Sequence, residues 1–308
     1  MTNILLTGGS GFLGGELMKR EIYQKALVVG RRSVSCKRFV ELSLDSHTDF
    51  TNLLMDIDIV VHAAARAHVM NETSSKYSGL YREINTAATL NLAKQSALNG
   101  VKRFIFISSI KVLGETNIDN KPFTYLDPLN PQDAYAKSKA EAEVGLRRLS
   151  DEYDMEVVII RPPLVYGKNV QGNFKKILAL CAREIPLPLG SINNKRSLVS
   201  LSNLVDLITI CTTHPKAANQ IFLVSDDHDV SISELLTLIA IAGGFKSKLF
   251  RVPLKLLRLI FICVGRMNTY ERLCGSMQVD IAHTKKLLDW QPLQATSDGL
   301  NECLPLSE

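Results

Sequence analysis

The sequence lacks the residues that would frame a metal or disulfide site. Its six cysteines (Cys36, Cys181, Cys211, Cys263, Cys274 and Cys303) are scattered, with no Cys-x-x-Cys and no histidine pair at ligand spacing. Free thiols in a reducing compartment are expected, several of them in the core. It also lacks a basic block interleaved with aromatics. The 36 basic and 31 acidic residues are spread along the chain, and the net charge is only +5. That excludes an obvious nucleic-acid surface and suits, at most, a local excess of positive charge around an anionic substrate. No repeat and no low-complexity stretch occurs. No apolar run is long enough to span a bilayer. The strongest candidate, residues 254–264, is interrupted by Lys255 and Arg258. It reads as a core-covering helix, with a membrane-surface or partner-binding face as the alternative. The chain enters a strand at once without a basic leader, so no signal peptide and a cytoplasmic location are expected.

What is present is an ordinary globular composition, 46% hydrophobic and 22% charged over 308 residues. That length suits one large α/β domain, or a main domain with a smaller lobe. Strand patterns at 4–6, 26–29, 39–44, 57–61, 103–107 and 157–160 alternate with helical patterns at 81–98 and 134–149. This order predicts a Rossmann-type, doubly wound parallel sheet with ligands at the carboxyl ends of its strands. Beyond Gly167 the rhythm breaks at Pro186 and Pro188, and helices dominate after Ser231. The expected division is a dinucleotide-binding domain over 1–167. Residues 168–308 then form mainly a substrate lobe, with segments returning to the main sheet.

The organising stretch is Ile4-Leu-Leu-Thr-Gly-Gly-Ser-Gly-Phe-Leu-Gly-Gly15. A buried strand runs into Gly8, Gly11 and Gly14, three apart, and then into a helix whose pattern turns amphipathic through Leu17, Met18, Lys19 and Arg20. Such a turn reverses tightly and brings backbone N–H groups close to a diphosphate. The diphosphate sits at the helix N-terminus, where unpaired N–H groups favour negative charge.

A second signal is Tyr135-Ala-Lys-Ser-Lys139. Tyrosine and lysine four apart share one helix face. A phenol ionises near pH 10, too high for a base at neutral pH. A neighbouring ammonium and a positive nicotinamide ring lower that value. Tyr135 could then exchange the proton of a carbinol while hydride moves to or from the nicotinamide. Lys139 tunes Tyr135 and holds the nicotinamide ribose. Phe104-Ile-Phe-Ile-Ser-Ser109 ends the fifth strand, placing Ser109 on the same carbinol oxygen, with Ser108 as support.

These pieces resemble the extended short-chain dehydrogenase/reductases, in particular the UDP-glucose 4-epimerase and nucleotide-sugar dehydratase group. The matching stretches are Thr7 to Gly14, Asp58-Ile-Val-Val-His-Ala-Ala-Ala65, Asn85, Ser108-Ser109 and Tyr135 to Lys139. Arg161-Pro-Pro-Leu-Val-Tyr-Gly167, Lys195-Arg196 and Asp280 through Trp290-Gln-Pro292 extend the likeness over nearly the whole chain. The resemblance implies that Phe12, Leu13, Ala63, Ala64, Ala65, Ser108 and Pro162 line the cofactor, with Asn85 supporting the nicotinamide end. It offers Arg196 and Arg272 for a substrate diphosphate, a group that guanidinium grips bidentately. An ordinary surface charge is the other reading of Arg272. It also implies a homodimer built through two helices per subunit, one of them carrying Tyr135.

Three departures from the group narrow the expectation. Ile110 and Lys111 stand where 4,6-dehydratases carry Asp-Glu, so the acid and base for water loss are missing and a dehydratase is disfavoured. After the second strand the chain reads Gly30-Arg31-Arg32 where NAD-dependent epimerases usually place an acid. Two guanidiniums suit a 2′-phosphate, which tips the expectation from NAD toward NADP. Asp45 could read the adenine amine or be a plain loop carboxylate. Pro163-Leu164 replaces the Phe-Asn common in epimerases, so Asn173 either takes over part of the diphosphate contact or caps a helix. The segment from Tyr270 to Asp280, with Ala65-Arg-Ala-His-Val-Met70, resembles a bacterial surface-polysaccharide branch that includes enzymes reducing UDP-4-keto-6-deoxy-N-acetylhexosamines and many 4-epimerases. Arg31 and Arg32 put a C4 ketoreductase slightly ahead of a 4-epimerase acting on a UDP-hexose, with a non-catalytic dinucleotide sensor as the remote alternative.

Overall fold

The computed structural model describes residues 2–67, 75–119 and 121–304. Seven parallel strands make the main sheet in the order β3-β2-β1-β4-β5-β6-β9. They are β1 (Ile4–Thr7), β2 (Leu27–Gly30), β3 (Phe39–Glu41), β4 (Ile59–His62), β5 (Arg103–Ile107) and β6 (Glu156–Arg161), with β9 at Ile221–Leu223. Alternate residues enter opposite layers. Ile4, Leu6, Ile59, Val61, Ile105 and Ile107 join one core, while Leu5, Val60, Phe104 and Phe106 join the other. Burying both faces explains why the strands read as continuous apolar runs, each such side chain contributing roughly 1.5–3 kcal/mol.

A second sheet holds β7 (Leu164–Tyr166), β8 (Arg196–Ser200) and β10 (Asp229–Val230), with β7 and β8 parallel and β10 antiparallel to β8. The helices are α1 (Phe12–Leu17), α2 (Thr51–Leu54), α3 (Ser75–Tyr81), α4 (Ala88–Leu98), α5 (Ala134–Glu152), α6 (Gly172–Ala182), α7 (Leu201–Thr213), α8 (Ile232–Ala242), α9 (Leu254–Cys263), α10 (Met267–Cys274), α11 (Ala282–Leu288) and α12 (Thr296–Glu302). Residues beyond Gly167 contribute β9 to the main sheet. They also supply Leu204, Val205 and Ile208 of α7 to one of its cores, and α6, α8 and α12 pack around a third core.

The structure differs from the sequence reading in four places. α1 stops at Leu17, and Lys19 and Arg20 lie in turns closed by i→i−3 bonds to Glu16 and Leu17. The chain has only nine residues between Leu17 and Leu27 of β2, too few for a long crossover helix. β3 ends at Glu41, so Asp45 lies in the following loop rather than at a strand end. Within the expected 81–98 helix, Arg82–Ala87 form a π-helical turn before α4, an insertion that recurs at functional sites. The fourth correction concerns α9. Only Leu257 is buried on it, and Leu254, Leu256, Leu259, Ile260 and Ile262 are exposed. Its inner face does cover the third core, through Leu257 and Phe261, but the opposite face stays open among the described residues. His68, Val69 and Met70 lie outside the described residues.

Candidate active site

α5 carries the site. Asp133 caps it by accepting the Ala136 N–H at 2.7 Å, satisfying one of the unpaired first-turn donors. Tyr135, Lys139 and Glu143 then follow at four-residue intervals along one face. Tyr135 is half-buried, while Lys139 and Glu143 are each 1% exposed. The end of β5 meets this face. The Ser109 hydroxyl lies beside the Tyr135 phenol and favours its ionised form, and it accepts the Lys111 N–H at 3.3 Å. Lys139 Nζ donates to the Ile107 carbonyl at 2.8 Å and lies 4.4 Å from the centre of the Phe106 ring. The Ser108 hydroxyl turns the other way and donates to Glu143 at 2.5 Å. Glu143 in turn receives Arg161, at the end of β6, at 2.7 Å from Nη2 and 3.1 Å and 3.2 Å from Nε. Pro162 follows Arg161 and accepts the Ile110 N–H at 2.9 Å, tying the ends of β5 and β6 together.

Burial sets the charges. It pushes the Tyr135 phenol up to about 12, with the Asp133 charge and Tyr81 adding and Ser109 pulling it back. Burial pulls Lys139 down to about 7 against the opposing charge of Glu143. Ser109 favours the phenolate, while Lys139, one helical turn along the same face, is held by Ile107 and Phe106. Lys111 bonds both Glu115 and Asp133 at 2.7 Å. Burial works against its charge, but the two carboxylates outweigh this and raise its pKa. No free carboxylate pair stands at 110–111, as Ile110 is buried and Lys111 cationic.

The glycine turn meets the end of β4. A Cβ on Gly8, whose φ is +79°, would lie 2.7 Å from the Ala64 nitrogen and 2.9 Å from the Ala63 carbonyl carbon. Gly14 is closed in by the Gly8 and Gly9 backbone, and Gly11 donates to the Gly8 carbonyl at 2.9 Å. The turn thus presents bare backbone at the start of α1, the kind of cradle a dinucleotide diphosphate fits. Phe12 and Leu13 pack inward against the core, while Ala63 and Ala64 are half-buried and Ala65 exposed. Asn85, in the π-helical turn, is fully buried. Its amide bridges the Arg66 backbone, at 2.8 Å and 3.1 Å, to the Ser138 hydroxyl at 3.0 Å.

Sequence reasoning missed two groups. Glu143 has the same four-residue spacing from Lys139 that Lys139 has from Tyr135, which was the available signal. His62 lies within the Asp58–Ala65 stretch. It links Thr7 at 2.8 Å to Thr89 at 3.0 Å. Thr89 donates to the Asn85 carbonyl and Thr7 accepts the Ala64 N–H. This network assigns the proton to His62 Nε2, and burial takes the imidazole down to about 3, keeping it neutral.

The remaining candidates lie around this centre. Arg31 and Arg32 are exposed directly after β2. Asp45 accepts the His47 N–H and the Thr48 hydroxyl, both at 2.9 Å, and these bonds hold its carboxyl below the usual range. Asn173 is exposed in the first turn of α6, where Gln171 is the cap residue, so it does not cap that helix. Arg196 and Arg272 come together, since Arg196 Nη1 donates to the carbonyls of Arg272 at 2.6 Å and Gly275 at 3.0 Å. The Arg272 side chain is exposed.

Three comparisons give this geometry its context. The model of the NAD dependent epimerase/dehydratase family matches residues 4–225. A UDP-glucose 4-epimerase from Vibrio cholerae is 47% identical over 307 residues, covering 97% of this chain and 94% of that protein. The fold is shared with a Bacillus cereus UDP-glucuronic acid 4-epimerase solved with NAD (TM-score 0.78, 19% identity, 98% of this chain and 97% of that one). It is shared equally with a Thermotoga maritima UDP-glucose 4-epimerase solved with UDP-glucose (TM-score 0.77, 22% identity, 97% and 96%).

Proposed function

The chain belongs to the NAD-dependent epimerase/dehydratase family, and from that premise we propose that it is a 4-epimerase of a UDP-activated hexose. The observation that carries the reading is the closeness of Ser109 and Tyr135 above buried Lys139, with Ile110 and Lys111 where dehydration would need an acid and a base, and the nearby Glu115 and Asp133 both engaged by Lys111. The 47% identical Vibrio cholerae 4-epimerase supports it, and moves the reading away from the ketoreductase expected from sequence.

Gly8, Gly11 and Gly14 would hold the diphosphate of NAD at the start of α1, Ala63 to Ala65 would line it, and Lys139 would hold its nicotinamide ribose. When bound, the oxidised nicotinamide would supply a reversible hydride acceptor for C4 of the sugar and a positive charge that favours the phenolate. Tyr135 takes the proton of the C4 hydroxyl as hydride leaves, and gives it back as hydride returns. Ser109 holds the same oxygen in both states. Lys139, fixed on Ile107, keeps a titratable charge one helical turn below the phenol. Arg196, Arg272 and Asn173 are proposed around the substrate diphosphate. The reading also includes a cofactor domain over 1–167, a substrate lobe drawn mainly from 168–308, a homodimer and work in the cytoplasm.

A second reading, an NADP-dependent 4-ketoreductase, draws on Arg31 and Arg32, which are exposed where a 2′-phosphate would lie. One experiment separates the two: identify the nucleotide released on denaturing freshly purified protein. NAD or NADH that survives dialysis supports the 4-epimerase, whose redox cycle closes within one site. An empty protein that prefers NADPH over NADH overturns it in favour of the reductase, and Arg31→Ala with Arg32→Ala should then erase that preference.

A further inference from the structure

α9 is not needed by this chemistry, and its sequence and exposure are unusual for a helix of a globular enzyme. Leu256, Leu259, Ile260 and Cys263 stand at i, i+3, i+4 and i+7, which places them on one face, and all four are exposed. Leu259 is 54% exposed, Ile262 and Val264 are exposed further along, and Phe250 is exposed in the segment before α9. On the flank, Lys255 and Arg258 point to solvent. Residues 235–270 contain six cations (Lys246, Lys248, Arg251, Lys255, Arg258 and Arg266) and no Asp or Glu. All six are exposed and none forms an ion pair among the described residues. The helix is short, and no described helix is long and apolar enough to cross a membrane.

We propose that α9 is a peripheral docking surface for an anionic lipid membrane, lying in the interface plane with its leucine and isoleucine face among the acyl chains. Apolar side chains at the centre with cations on the flanks match the two layers of such an interface, hydrocarbon below and negative headgroups above. Charge also decides against a second copy of this chain as the occupant. A symmetric contact would set the same six cations against themselves. The surface adjoins the substrate side, because α9 packs on α10 and the carbonyl of Arg272 in α10 holds Arg196. Docking therefore sets the candidate diphosphate-binding end of the enzyme beside the lipid.

The test is co-sedimentation of the whole protein with vesicles of phosphatidylethanolamine and phosphatidylglycerol, against vesicles of phosphatidylcholine alone. Binding to the anionic vesicles should be at least about tenfold tighter and should weaken as salt screens the cations. Leu256→Ser with Ile260→Ser, and separately Lys255→Glu with Arg258→Glu, should each reduce binding about tenfold or more while epimerase turnover in solution is unchanged. Equal binding to both vesicle types, or none to either, overturns the proposal. So does a concentration-dependent dimer, seen by sedimentation, that Leu259→Glu dissolves.

Discussion

Glu143 and Arg161 form a forked ion pair almost sealed from solvent, at 1% and 2% exposure, with a shortest contact of 2.7 Å. Lys139 lies one helical turn above the carboxylate. Ser108 adds a hydrogen bond to the same group, so the ends of β5 and β6 and the middle of α5 are tied at one point beneath the candidate catalytic face. The negative charge of Glu143 also opposes the loss of charge that burial imposes on Lys139.

That arrangement predicts the behaviour of Glu143→Gln. Removing one partner of a buried pair leaves the other charge uncompensated, which costs about 3–5 kcal/mol. Denaturant unfolding should show that loss, and the pH profile of turnover should shift as Lys139 loses the charge that raises its pKa. The double variant Glu143→Leu with Arg161→Met should be markedly more stable than Glu143→Gln. If both are equally unstable, the pair does not hold the elements together.

Tyr135→Phe should reduce turnover about 100- to 10,000-fold, the range of a single acid–base group. Cofactor content after purification should not change. Undiminished turnover would remove Tyr135 from the chemistry, and with no turnover in either form the chain would be a dinucleotide sensor.

In the folded protein burial holds Lys139 at about 7, below the ordinary lysine value of 10.5. Its contribution to stability is therefore most favourable above pH 10.5 and is lost as the pH falls toward about 7, where the unfolded chain takes up the proton first. Below that the penalty is constant. Lys139→Met should then be more stable than the parent at pH 7 by on the order of 1–3 kcal/mol, after loss of the bond to Ile107, while turnover collapses. Thermal unfolding at pH 7 and pH 10 measures it, and the advantage should shrink at the higher pH.

Gly8→Ala should abolish dinucleotide retention. The added carbon would meet the Ala63–Ala64 backbone within 3 Å, and a φ of +79° is strained for alanine. Gly100→Ala, which is also at positive φ but meets nothing within 4 Å, is the control: it should lower stability by about 1–2 kcal/mol and leave the cofactor in place.

The sequence alone determined the parallel sheet, the glycine turn and the face of α5 that carries Tyr135 and Lys139. Each is a local pattern: apolar runs in strands buried on both sides, glycines three apart, side chains one helical turn apart. Tertiary structure decided the rest. Arg161 meets Glu143 18 residues away, and Arg196 meets the Arg272 carbonyl across 76, distances at which no periodicity in a sequence can choose a partner. The charge of Lys139 and the reluctance of Tyr135 to ionise come from how deeply the folded chain buries them. Leu254, Leu256 and Leu259 of α9 have the same pattern as a core helix. They are exposed while Leu257 is buried, because no other described element packs on that face, and only the fold decides that.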